Sequence, residues 1–330
     1  MSGERKRHGR QTGTTDDGSG RSHGICGILG AGAGLMGLTL LITGAERPLG
    51  RAVVATARER GHAVRALSCG EADLAAEDAV AALAEADCVI HLAGDLAPDR
   101  DDAPRDPLDA TRRLVAALQA QPLPPRLVLQ GSVAVYTADA TGIVTEATPL
   151  EPRPARRDEH ARLALAQEAL LRESGIRHTI LRCGSIAGAG RGLVAHLGLG
   201  IGGTLLLMER GGELPVVSLA DCARALAMAA EMPGEGRALN ILGADRPTRT
   251  RYVARMRGTG WPRHVLPFNW RLVMPLAWLL APLGPRSPSL LRPAVLRARM
   301  RPLRYDIAAV KAALGWVPEE DFDTAFDQSV

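Results

Sequence analysis

Between residues 38 and 184, short apolar runs alternate with stretches of helical character, and this alternation limits the fold more than any other feature. Residues 38–43 read as a strand, 50–61 as a helix, HAVRALS as a second strand and 72–85 as an Ala-rich helix. The strand DCVIHLAG, a helix at 109–119, the strand RLVLQGS, a helix at 158–174 and the strand HTILRCG follow. Strands alternating with helices at this spacing form a mostly parallel sheet covered on both faces. The expected fold class is therefore α/β and doubly wound. Beyond residue 184 the pattern loosens: VVSLADCARALAMAAE gives one more strand and helix, and ALNILG a short strand. A proline-broken remainder reads as a smaller, mainly helical C-terminal substrate lobe built over the ligand-gathering edge of the sheet.

A chain of 330 residues has room for one large or two unequal domains. Its positive charge is almost all arginine, since Lys6 and Lys311 are the only lysines. Thirteen arginines and no acid lie between residues 246 and 304. This segment lacks the aromatic interleaving and motif fingerprint of a nucleic-acid module, so no nucleic-acid partner is expected. A basic lobe surface, or a contact with an anionic or membrane-proximal ligand, accounts for it. The cysteines Cys26, Cys69, Cys88, Cys183 and Cys222 form no CxxC pair, which points to an unbridged cytoplasmic chain without a metal. The apolar run LVMPLAWLLAPLG, residues 272–284, is too short to span a bilayer as a helix. It is expected to cap a pocket or join the core, with peripheral membrane contact as the alternative. Residues 1–37 read as a disordered or dispensable leader, although a basic start before ICGILGAGAGLMG also has the form of a signal-peptide core.

The loop TGAERPLG, between the first strand and first helix, is the first chemically specific feature. Gly44 permits a tight turn, Gly50 close helix packing, and the helix start at Leu49 and Gly50 presents backbone N–H groups toward a pyrophosphate. This supports a Rossmann-like dinucleotide-binding domain over residues 38–184, with the mixed segment 185–330 completing the sheet and adding the lobe. The second strand runs into Ser68 and Cys69 without the terminal carboxylate that would hold a ribose and mark NAD. Arg47 or Arg51 could neutralise a 2'-phosphate, which leans toward NADP; a merely solvated arginine is the alternative.

With TGAERPLG, DCVIHLAG, LVLQGSVAVY, TEATPLEP, TILRCGSIAGAG, SLADCARA and LGWVP in this order, the chain resembles the extended, atypical short-chain dehydrogenase/reductases, the NAD-dependent epimerase/dehydratase family. The resemblance covers roughly residues 38–326. It implies an NAD(P)-binding domain, a C-terminal substrate domain and substrates among nucleotide sugars, sterols, flavonoid-like alcohols and natural-product intermediates. Ser132 matches the catalytic serine, Asp73 the aspartate at the adenine amino group, and His91, Leu92 and Ala93 the strand end lining the cofactor. Tyr136 matches a structural tyrosine near the site. Cys183 replaces a usual proline and with Arg182 ends a strand at the ligand edge, and Tyr136, Cys183 and Ser185 are expected to line the substrate pocket.

Three departures accompany the likeness. Arg47 replaces the middle glycine. Almost no chain separates Ser68 from Asp73, so a third strand is expected to be shortened or missing. His160 and Ala164 fall where relatives keep their tyrosine and lysine, four residues apart on one helix face. Imidazole, with an ordinary pKa of about 6.5, can exchange a proton near neutrality without a lysine beside it; an incidental solvated histidine is the bland alternative. Three readings follow. The first is an oxidoreductase acting on a small organic, secondary-metabolite-like intermediate, with Ser132 and His160 at the reacting oxygen. The second is a redox-neutral cyclase, dehydratase or isomerase on the same fold, its cofactor lost. The third is a non-catalytic NAD(P)- or partner-binding protein. A homodimer is compatible with each.

Overall fold

The computed structural model describes residues 37–67, 77–92, 107–186 and 193–328. Its centre is a six-stranded parallel sheet of β1 (Thr39–Thr43), β2 (Ala63–Leu67), β3 (Cys88–His91), β4 (Arg126–Ser132), β6 (His178–Cys183) and β11 (Arg237–Ile241). Its order is β11-β6-β4-β3-β1-β2. The chain runs outward from β1 to β2 and then returns to β3 on the other side of β1, so the strand order reverses between β1 and β3. Ligands of such sheets lie at the carboxyl edge beside this reversal. Among the described residues β2 is the last strand on this side of the sheet, and the expected shortening or loss of a third strand concerns residues 68–76, which lie outside the described residues.

Alternation within the strands shows why helices cover both faces. Leu40, Ile42, Cys88, Ile90, Val128 and Leu181 join one buried cluster, which includes Val53 of α1 (Pro48–Glu59) and Leu226 of α6 (Leu219–Ala230). Leu41, Val89, Leu127, Leu129 and Ile180 project oppositely, into a cluster with Leu83 of α2 (Glu77–Glu85), Leu114 of α3 (Pro107–Gln119) and Leu171 of α4 (Glu159–Glu173). A strand buried on both sides needs such a continuous apolar run.

Short pairs attach the rest: β5 (Ile143–Val144) with β13 (Arg304–Tyr305), and β7 (Ser185–Ile186) with β10 (Val216–Val217). The lobe also contains α5 (Val194–Leu197), α7 (Arg249–Arg257), α8 (Met274–Leu280), α9 (Pro293–Met300), α10 (Ala308–Leu314) and α11 (Phe322–Asp327). It is mainly helical, as expected, with a small sheet beside the helices. A second sheet, ordered β12-β9-β8, joins β8 (Gly198–Ile201), β9 (Thr204–Leu207) and β12 (His264–Pro267). These four-residue strands, two of them flanking Gly202 and Gly203, are too short to show a period.

The apolar run 272–284 departs from expectation. In α8 only Ala277 is buried, packing with Leu296 and Met300 of α9, while Leu276, Trp278 and Leu279 face solvent. The run gives Val273, Met274 and Ala277 to a small cluster of the lobe, turns its other side outward and lines no part of the cavity. Among the described residues no helix is long and apolar enough to cross a membrane.

Candidate active site

β4 ends at Ser132, whose Oγ accepts a hydrogen bond from the Ala134 amide at 3.1 Å and caps the short turn that follows. Asp158 caps α4 by accepting from the Ala161 amide at 3.0 Å, which fixes the first helical turn. That turn carries His160, whose Nε2 lies 2.9 Å from Ser132 Oγ. With its oxygen already accepting from Ala134, the serine can donate its proton to a neutral imidazole or accept one from an imidazolium. Ser132 is buried, whereas His160 stays open to solvent.

The pair lies on a cavity of about 370 Å³. Ala164 and Gln167, the next positions on the same face of α4, also line it, with Cys183 and Ser185 at the end of β6 and beyond. Gln167 is anchored by donating to Thr111 Oγ1 at 2.9 Å. The C-terminal lobe supplies His196, Arg249, Tyr252 and Arg299. Burial, with Arg299 and Arg249 adding their charge, pushes the His196 pKa down to about 3, so this ring is neutral. Burial alone would raise the Asp158 carboxyl, but Arg299 at 3.0 Å and the Ala161 amide outweigh it and hold the pKa below the ordinary value. Arg249 is spent on the carbonyls of His196, Gly211 and Arg299 and acts as a structural clamp.

Tyr136 lines the cavity, but its hydroxyl is committed, donating to Asn240 Oδ1 at 2.5 Å and accepting from Arg182 Nη1 at 3.0 Å. Burial raises its pKa, despite the opposing charge and hydrogen bond of Arg182. The Cys183 sulfur receives the Cys222 thiol at 3.4 Å. His91 is buried, with Nδ1 2.8 Å from Thr43 Oγ1 and Nε2 3.0 Å from Thr111 Oγ1. Its ring therefore ties β1, β3 and α3 together and does not reach outward. Leu92 is buried beside it, while Asp73 and Ala93 lie outside the described residues.

The phosphate end of a dinucleotide site fits the loop at the start of α1. Gly44 has φ +74°, and a Cβ on Gly50 would lie 2.1 Å from the Gly44 carbonyl oxygen, so both positions require glycine. Arg47 adopts φ −82° and ψ 159°, ordinary for any residue, and as N-cap of α1 it brings a half-buried cation to that end. Leu49 is buried under the turn. Strands β1, β3 and β4 are neighbours in the parallel sheet, so this loop and Ser132 share its carboxyl edge.

Among the cavity residues the sequence reading missed, Gln167 carries a usable signal, since it lies one helical turn past Ala164 on the same face. His196 and Arg299 carry no local signal, since they reach the site only through the folding of the lobe.

A sequence search of curated proteins returns no match. Solved structures share the fold at low identity. MoeE5 in complex with UDP-glucuronic acid and NAD has a TM-score of 0.61 and 19% identity, with 88% of this chain and 97% of that one covered. The UDP-N-acetylglucosamine 4-epimerase from Bacillus cereus gives 0.59 and 17%, covering 88% and 95%. A UDP-glucuronic acid 4-epimerase from Bacillus cereus in complex with NAD gives 0.60 and 16%, again covering 88% and 95%. The family model for NAD dependent epimerase/dehydratases matches residues 40–241, which spans β1 to β11 and more than half of the chain. The chain belongs to the NAD-dependent epimerase/dehydratase family.

Proposed function

We propose that this protein is a nicotinamide-dependent oxidoreductase acting on a small organic substrate, in which Ser132 and His160 exchange the proton that relatives exchange through tyrosine. The observation that carries the reading is the 2.9 Å contact between His160 Nε2 and Ser132 Oγ on the cavity wall. Gly44, Arg47 and the amides of Leu49 and Gly50 would hold the pyrophosphate of NAD or NADP. The cofactor, when bound, supplies or accepts the hydride.

Ser132 orients the reacting oxygen through its hydroxyl. His160, as imidazolium, gives that oxygen a proton during carbonyl reduction and takes one back during alcohol oxidation. Ala164 places no cation beside the ring. A histidine, unlike a tyrosine, needs no neighbouring cation to exchange protons close to neutrality. The clamped Arg249 and the Asp158–Arg299 pair give the wall a fixed shape around the substrate.

The test is a titration with NADH and NADPH followed by nicotinamide fluorescence, then a hydride-transfer assay. Binding is expected, with reduction slowing as rising pH removes the imidazolium and oxidation doing the reverse. H160A should lose about 10²- to 10⁴-fold in turnover, with cofactor affinity unchanged. No binding of either nucleotide at physiological concentration would overturn the proposal. Ala164, where relatives keep a lysine, favours a second reading, redox-neutral proton shuttling on the same pair. Substrate conversion without cofactor turnover would select it.

A further inference from the structure

The small sheet and the segment after it leave a surface that the cavity chemistry does not use. Leu199, Leu206 and Leu266 are register partners across β8, β9 and β12, and Ile201, Thr204 and His264 form the adjoining rung. Residues two apart on a strand share a face, so both rungs project from one side. Leu205 and Leu207 project from the other and are buried in the lobe core. On the outer side Leu199, Ile201 and Leu266 are exposed. The chain then continues through Phe268, Leu272, Leu276, Trp278, Leu279 and Leu283, which are between 41% and 75% exposed. Nine of the twelve exposed large hydrophobics among the described residues thus belong to this one part of the lobe, a concentration that marks an interaction surface.

The charge here has the same bias. Arg246, Arg251, Arg255, Arg297, Arg299 and Arg301 are paired with carboxylates. Arg263, Arg271 and Arg286 are exposed, and among the described residues none has an acidic partner. Arg263 lies along the β8–β9 turn, its Cδ 3.4 Å from where a Cβ of Gly203 would stand, and Arg271 stacks 5.0 Å over the Trp270 ring. The unneutralised cations are therefore interleaved with the exposed leucines and Trp278.

We propose that this face docks the protein onto an anionic lipid bilayer as a peripheral, non-spanning contact. Leucines and Trp278 would enter the boundary between headgroups and acyl chains, while Arg263, Arg271 and Arg286 meet the lipid phosphates. A second copy of the chain fits the same face poorly. A two-fold contact sets a patch against itself, and residues 246–304 contain no acid to receive the facing arginines. The site is distinct from the cavity, so this inference does not depend on the proposed chemistry.

The experiment is co-sedimentation of the full-length protein with vesicles of phosphatidylcholine, alone or with about 30% phosphatidylglycerol. Binding is expected to the anionic vesicles, weakening as salt is raised. R271Q/R286Q should lower vesicle affinity about thirty-fold, and L276S/L279S should abolish binding. Trp278 fluorescence should be quenched by lipids brominated on the acyl chains, and W278F should remove that quenching. Failure to sediment with anionic vesicles overturns the proposal. So does binding indifferent to lipid charge and salt, or a dimer dispersed by L279R in a protein that ignores vesicles, which would identify a second copy. If the substituted proteins do not fold, the salt response and quenching of the wild-type chain decide.

Discussion

His91 ends β3 with its ring enclosed between Thr43 and Thr111, and burial holds its pKa down to about 4. The folded state therefore refuses a proton that the unfolded chain accepts below about pH 6.5. Stability is full above that pH and falls as acid is added toward pH 4, by up to about 3 kcal/mol from this group. His196, held at about 3, acts in the same direction. Urea unfolding at pH 7 and pH 5 should show a smaller difference for H91Q than for the wild type, and an equal difference would remove His91 as the cause. The sequence placed this residue at a strand end near the cofactor edge. It could not say which way the ring points, because that depends on a threonine twenty residues away. The same holds for Tyr136: its hydroxyl is occupied by Asn240 and Arg182, which only the packed sheet brings to it.

Between elements, one buried ion pair sets the position of α4. Arg182 on β6 donates from Nε and Nη2 to the two carboxylate oxygens of Glu168 on α4, each at 2.9 Å. Both side chains are buried. The bond fixes the helix carrying His160 against the sheet carrying Ser132, so it supports the geometry of the pair as well as the fold. E168Q should cost about 3–5 kcal/mol in urea unfolding, because the Arg182 charge loses its partner in a dry site. The double variant E168L/R182L should cost less, since it buries no charge. A double variant as damaging as the single one would mean that the pair stabilises by shape. The helix and both flanking strands were legible from hydrophobic period. The bridge was not, since Glu168 reads as an ordinary helical acid until the sheet places Arg182 opposite it.

At the scale of the whole molecule, the last turns of chain are fastened back onto the Rossmann-like unit. Asp221, buried in α6, accepts from the amides of Glu319 and Glu320 at 2.9 and 3.1 Å, and its carbonyl accepts from the Trp316 indole at 3.1 Å. Trp316 is buried in the core beside β11 and α6. Beyond it, Phe322 and Phe326 pack on Tyr252 with ring centroids 5.6 and 5.5 Å away, closing the lobe. D221A removes the acceptor of the Glu319 and Glu320 amides, which water can partly replace because neither residue is buried, at about 0.5–1.5 kcal/mol each. Hydrogen exchange over residues 315–328 should accelerate in this variant while β1, β3 and β4 stay protected. Unchanged exchange would show that the tail is held by its aromatic packing alone. The motifs SLADCARA and LGWVP, far apart in sequence, are in effect two halves of this one clasp.

The sequence by itself determined the parallel sheet, its two helical faces and the glycine loop. Each follows from local period or turn chemistry, which a short window of residues carries. It also placed His160 and Ala164 four residues apart on one face of a single helix. Only the tertiary structure decided that His160 reaches Ser132, that Arg249 is a clamp, that Tyr136 is committed to packing and that the run 272–284 faces outward. Those outcomes depend on which distant side chains arrive at the same point. A buried polar group takes whatever partner the fold supplies, and an apolar run is buried only where another element comes to cover it.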